Sequence, residues 1–128
     1  TQEEVEALSL EASKYPIDAL YFADSMGSMD PAQTSKIIGW LRTHWQGAMG
    51  IHTHDNMGLA LSNTLQAIKD GVTWLDATVT GMGRGPGNAR TEELVIEVAD
   101  MRQRSINMVP LMSVIRSYFQ LFTVICSY

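Results

Sequence analysis

The sequence predicts an α/β protein built on a parallel sheet. Three observations carry this reading. Short runs rich in β-formers alternate with helical patterns three times, each run closes on a polar or glycine-containing bend, and the connections between elements are short. Such a plan places ligand chemistry at the carboxyl ends of the strands.

The elements follow in order. Residues 3–14 carry Val5, Leu8 and Ala12 at helical spacing before Tyr15-Pro16 ends the pattern. Residues 17–23 hold Ile17, Leu20, Tyr21 and Phe22 and predict a buried strand, closed by the bend Asp24-Ser25-Met26-Gly27. Asp30-Pro31 reads as an N-cap followed by proline at the first helical position. It opens a helix with Ile37, Leu41 and Trp45 on one stripe, ending near Gly47. His44 is expected within it, in a surface or packing role. Residues 48–54 are the second strand. Residues 59–70 are the next helix, with Leu61, Leu65 and Ile68 along its face and Gly71 in the C-cap place. Residues 72–80 predict a third strand and residues 81–87 a third loop. Thr91 is expected to cap a helix to about Arg102, whose first turn holds Glu92 and Glu93.

The tail, residues 109–128, is apolar, with Leu111, Val114, Ile115, Phe119, Leu121, Phe122, Val124 and Ile125. Arg116 and Ser117 interrupt it near the middle, so it reads as a packed terminal helix and not as a membrane span.

Composition narrows the function classes. The 128 residues carry 14 acidic and 9 basic side chains, a formal charge of −5 with no run of Lys or Arg. That argues against nucleic acid and anionic membrane as partners. The single cysteine, Cys126, excludes an intrachain disulfide and a C-x-x-C zinc site, and no signal peptide is visible, so a reducing, cytoplasmic setting is expected. Three strands are few for a free-standing parallel sheet, and a complete βα barrel takes roughly 250 residues. A partial chain is therefore expected.

Ile51-His52-Thr53-His54-Asp55-Asn56 is the sharpest chemical signal. Residues two apart on a strand share a face, so His52 and His54 present two imidazoles together while Ile51 and Thr53 turn to the helices. The pair reads as a metal-chelating pair, in preference to two satisfied polar groups at a sheet end. The second signal is Thr80-Gly81-Met82-Gly83-Arg84-Gly85-Pro86-Gly87-Asn88. Its glycines let the backbone approach a ligand, Arg84 can meet a carboxylate, and Asn88 offers a hard oxygen. A turn with no further role has the same composition, and no G-K-[ST] follows to make it a P-loop. The third signal is Asp24-Ser25, which either holds substrate or shapes its turn.

These residues resemble the metal-dependent aldolase, lyase and carboxyltransferase barrels, the family of hydroxymethylglutaryl-CoA lyase and isopropylmalate synthase. His52-Thr53-His54-Asp55-Asn56 is similar to the family's H-x-H metal motif on the seventh strand. Residues 76–88 resemble its eighth strand and loop, most like the 4-hydroxy-2-oxovalerate aldolase-like branch. Asp24-Ser25-Met26-Gly27 resembles the D-[ST]-x-G turn after the sixth strand.

The resemblance implies the C-terminal part of a (β/α)8 TIM barrel, about three βα units over residues 1–108, with residues 109–128 as the terminal helix. It implies Mn²⁺ or Mg²⁺ held by His52, His54 and, as a direct or outer ligand, Asn88, with Asp24, Ser25 and Arg84 lining the substrate side. The expected chemistry is aldol or retro-aldol cleavage on a 2-keto acid through a pyruvate enolate. Alternatives are an acyl-CoA-dependent synthase of the isopropylmalate or homocitrate type and a non-catalytic metal-binding remnant. The family's Arg-Asp pair on its first strand has no counterpart here, so no general base is named. The lyase branch's loop cysteine is also lacking, which lowers a CoA-ester lyase reading. An amidohydrolase-type barrel also uses H-x-H but needs further histidines downstream, and none follows His54. A homo-oligomer is left open.

Overall fold

A computed structural model describes residues 1–119. The elements are α1 (Gln2–Ala12), β1 (Ala19–Asp24), α2 (Pro31–Arg42), β2 (Ala48–Thr53), α3 (Ala60–Lys69), β3 (Trp74–Leu75), α4 (Thr91–Met101) and α5 (Val109–Val114). A 3₁₀ turn at Val79–Gly81 precedes α4, and a π-helical turn at Ile115–Phe119 follows α5. The expected apolar tail thus begins in α5. Leu121, Phe122, Val124, Ile125 and Cys126 lie outside the described residues.

The three strands are parallel and stand in chain order, β1-β2-β3. The helices keep the same order, α1 against α2, α2 against α3 and α3 against α4. A doubly wound sheet would reverse its strand order and cover both faces; strands and helices advancing together form a sector of a βα barrel.

Alternation along β2 divides the two faces. Met49, Ile51 and Thr53 are fully buried against the helices, where Met49 and Ile51 join Ile38, Leu41, Trp45, Ala67 and Val72 in the core. Each such large apolar side chain contributes about 1.5–3 kcal/mol by leaving water. Gly50 and His52 face the opposite side. There the register sets Tyr21 and Trp74 on either side of Gly50, and they remain 42% and 55% exposed. This inner face lacks a cover among the described residues.

Several local expectations change. In α1 the inward position belongs to Ser9, fully buried, while Leu8 is 69% exposed. In α3 the fully buried face is Ala60, Asn63, Thr64 and Ala67, and Leu61, Leu65 and Ile68 are half-buried. Small and polar groups suit this face because Thr64 Oγ1 reaches Thr53 Oγ1 at 3.0 Å and Asn63 Nδ2 donates to Met29 O at 2.7 Å, which draws α3 close to the sheet. α2 ends at Arg42, so His44 lies in the turn beyond it. Trp45 packs into the core after the helix, its indole N–H donating to Ala48 O at 2.8 Å.

The third strand is much shorter than the expected 72–80. It pairs with β2 only through Trp74 and Leu75. Asp76 N–H still reaches Ile51 O at 3.0 Å, and then Thr78 leaves to bridge Arg90. Thr91 is the first helical residue of α4 and not its cap. Its N–H is taken by Thr78 O at 2.9 Å, and Arg90 occupies the cap position without a side-chain capping bond, its guanidinium pairing instead with Glu93 at 3.1 Å.

Candidate metal and substrate site

The carboxyl end of β2 carries the two histidines on the face away from the helices. His52 and His54 have ring centroids 5.1 Å apart, with planes at 76°. Both are partly exposed. Their neighbours lock this geometry from the other side: Thr53 Oγ1 donates to Ala60 O at 3.2 Å, and Asp55 Oδ1 accepts from Ala60 N–H at 2.9 Å. Asp55, inside the motif, therefore anchors the start of α3 and points away from the imidazoles' task.

The glycine loop is tied to the same strand end. His54 bridges Asn88, Asp55 N–H donates to Gly87 O at 2.9 Å, and Ala89 N–H donates to Thr53 O at 3.3 Å. Gly87 has φ +94°, and a Cβ there would lie 1.9 Å from Gly81 O, so only glycine closes this turn. Asn88 is buried. Its Nδ2 donates to Met82 O at 3.2 Å, while its Oδ1 has no hydrogen-bond partner. Asn63 Oδ1 and Thr78 Oγ1 share that condition, but Asn88 is the residue bridged to His54. A buried carbonyl oxygen without a donor is costly in water-free surroundings and is satisfied by a cation. Two imidazoles and this oxygen are a donor set that suits a divalent metal such as Mn²⁺ or Mg²⁺. Among the described residues no three His, Cys, Asp or Glu side chains gather into a metal cluster, so a carbonyl oxygen would have to complete the ligands offered here.

The first loop behaves differently. Asp24 is buried, and its two carboxylate oxygens accept from Ser28 N–H at 3.1 Å and Met29 N–H at 3.0 Å, which shapes the turn after β1. Ser25 is exposed. Gly27, at φ +56°, packs so close to Asn56 that a Cβ would lie 2.6 Å from its Oδ1, joining the first loop to the second. Arg84 is exposed on the glycine loop and has no side-chain partner among the described residues.

One residue of the site was not singled out from the sequence. Asp76 Oδ2 stands 3.3 Å from His52 Nδ1. Register brings it there: Ile51 opposes Leu75, so the next residue of each strand shares the inner face. Burial and the neighbouring Asp76 carboxylate also raise the Tyr21 hydroxyl above its ordinary pKa.

Known proteins share the family and the fold of this chain. The HMGL-like family model matches residues 2–117. A 4-hydroxy-2-oxovalerate aldolase from Pelotomaculum thermopropionicum is 43% identical over 81 residues, covering 63% of this chain and 24% of that protein. A homocitrate synthase from Frankia alni is 33% identical over 101 residues, 79% of this chain and 29% of that one. The crystal structure of the Bacillus subtilis HMG-CoA lyase superposes with a TM-score of 0.78 at 27% identity, covering 91% of this chain and 42% of that chain. The chain spans about a quarter of the length of the curated relatives it matches. With the family model covering nearly the whole described chain, and strands and helices ordered as in a βα barrel, the chain belongs to the HMGL-like family.

Proposed function

We propose that the protein carrying this chain makes or breaks a carbon–carbon bond of a 2-keto acid by aldol chemistry through a pyruvate enolate, with Mn²⁺ or Mg²⁺ as cofactor. The observation that carries the reading is the His52/His54 pair beside the buried, unpartnered Asn88 Oδ1. The similarity to 4-hydroxy-2-oxovalerate aldolases supports the substrate class. When bound, a divalent cation supplies Lewis acidity to the keto group and offsets the negative charge of the enolate. His52, His54 and Asn88 would hold it.

The remaining groups bind and orient. Arg84, on a loop whose glycines allow close approach, is available for the substrate carboxylate. Ser25 offers a hydroxyl at the mouth of the neighbouring loop, and Asp24 keeps that loop in shape through Ser28 and Met29. The small-molecule substrate is read at the carboxyl ends of the strands, as in other parallel α/β sites.

Pyruvate in D₂O tests this reading. Mn²⁺-loaded protein should exchange the methyl protons of pyruvate, followed by proton NMR, and should cleave 4-hydroxy-2-oxopentanoate. A folded, metal-loaded, full-length protein carrying this chain that does neither overturns the aldolase reading. Incorporation of label from acetyl-CoA into a 2-hydroxy acid, formed by adding the acetyl carbon to a 2-keto acid with hydrolysis of the thioester and release of CoA, would instead favour the synthase reading, which the homocitrate synthase similarity supports.

A further inference from the structure

We infer that Asp76 is a positioning residue for His52, holding the imidazole by Nδ1 so that Nε2 is presented to the site. The inference rests on the metal reading above and extends it to a residue outside the H-x-H motif.

Three observations carry it. His52 Nδ1 and Asp76 Oδ2 are 3.3 Å apart, the one contact between an imidazole and a carboxylate among the described residues. The carboxylate is held from the backbone: Leu75 opposes Ile51 in the parallel register, and Asp76 N–H donates to Ile51 O at 3.0 Å, one residue before His52. Asp76 therefore cannot drift along the strand relative to the ring it faces. Across the sheet, Tyr21 lies over Gly50. A Cβ on Gly50 would come within 2.3 Å of the phenol ring, so the glycine creates the space for the Tyr21 ring on this inner face. The raised Tyr21 hydroxyl places a neutral phenol beside the Asp76 carboxylate.

A carboxylate facing one nitrogen of a neutral imidazole favours the proton on that nitrogen and leaves the other as the lone-pair donor. Ring orientation and tautomer are then both set before a cation arrives. His54 has no such carboxylate among the described residues, and its backbone bridge to Asn88 holds it instead. The two ligands are thus fixed by different means, one through its side chain and one through its strand end.

The test uses Asp76→Ala and Asp76→Asn, the second preserving size while removing the charge. Two readouts are needed. Nitrogen-15 NMR of the metal-free protein at pH 8 should show His52 with its proton on Nδ1, and in Asp76→Ala a shift toward the Nε2–H tautomer; Asp76→Asn, whose carboxamide oxygen still accepts from Nδ1–H, should shift less. Calorimetric titration with Mn²⁺ should show affinity lower by about 10–100-fold in both variants. An unchanged His52 tautomer in folded Asp76→Ala overturns the inference, even if affinity falls, because the carboxylate would then act only through its charge and not by holding Nδ1. A tautomer that follows residue 76 in a protein taking up no Mn²⁺ supports the positioning role and overturns the metal reading.

Discussion

Gly83 and Asn88 are in such close contact that a Cβ on Gly83 would lie 2.5 Å from Asn88 Nδ2. Asn88 is buried and bonded to Met82 O, so the carboxamide has little room to retreat. Gly83→Ala should therefore turn Asn88 Oδ1 from its place while leaving the strands intact. The expected outcome is Mn²⁺ affinity lower by about tenfold, roughly 1.4 kcal/mol, together with a lower thermal midpoint, because the buried bond from Nδ2 to Met82 O is disturbed. Calorimetry and a melting curve on the same sample check both halves. Unaltered affinity would remove Asn88 from the ligand set.

Gly87 tests the loop itself. At φ +94° a side chain is strained, and a Cβ there would also meet Gly81 O at 1.9 Å. Gly87→Ala should destabilise the fold by at least about 1–3 kcal/mol from backbone strain alone, read from urea unfolding. The cost should exceed that of Gly85→Ala. Gly85 also has positive φ, +63°, but nothing lies within 4 Å of its Cβ position.

The two histidines should behave as one bite. His52→Ala or His54→Ala leaves a single imidazole on the strand, and Mn²⁺ binding followed by calorimetry or water-proton relaxation should fall sharply in each. Equal affinity in wild type and both variants would leave the pair as two ordinary polar side chains.

Much of this site is legible in the sequence because strand alternation is local. His52 and His54 share a face, and Ile51 and Thr53 take the other, whatever the rest of the fold does. The glycine loop and the Asp30-Pro31 start of α2 are local in the same sense. Asp76 was hidden because its contact with His52 depends on register between two strands, which no spacing within either one reveals. The long third strand failed for a related reason. Val79 and Thr80 are good β-formers, yet Thr78 pairs with Arg90, Val79–Gly81 form a 3₁₀ turn, and Thr80 adopts φ +59° with its N–H held by Glu92 at 3.0 Å. Tertiary hydrogen bonds overrode propensity there. The leucines of α3 misled in the opposite way, since Thr53 and Thr64 meet where a leucine would not fit.

Tyr21 gives a pH signature. Burial first, and then the Asp76 carboxylate, raise its pKa in the fold above that of the unfolded chain. The native state therefore favours the protonated phenol. Its contribution to stability is complete below the unfolded value of about 10 and is lost as pH rises through the higher folded value. Absorbance at 295 nm should show Tyr21 ionising later than a free tyrosine. Urea unfolding between pH 8 and 11 should fall more steeply for wild type than for Tyr21→Phe. Identical slopes would mean that neither burial nor Asp76 raises the phenol's pKa in the fold.

Arg84 separates binding from chemistry. It lies exposed on the glycine loop with no side-chain partner among the described residues, so its removal leaves no buried group unsatisfied and should leave stability unchanged. If it grips the substrate carboxylate equally in the ground and transition states, Arg84→Ala should raise KM by about tenfold with kcat within a factor of a few. A charge-assisted hydrogen bond is worth about 1.5–3 kcal/mol, and solvent around an exposed loop places the effect at the lower end of that range. Arg84→Lys should recover part of the loss, since the charge remains while the two-pronged geometry goes. Steady-state kinetics of 4-hydroxy-2-oxopentanoate cleavage, with proton exchange of pyruvate in D₂O run on the same variants, separates the cases. A fall in kcat at unchanged KM would assign Arg84 to the charge developing on the enolate and move it from substrate binding to catalysis.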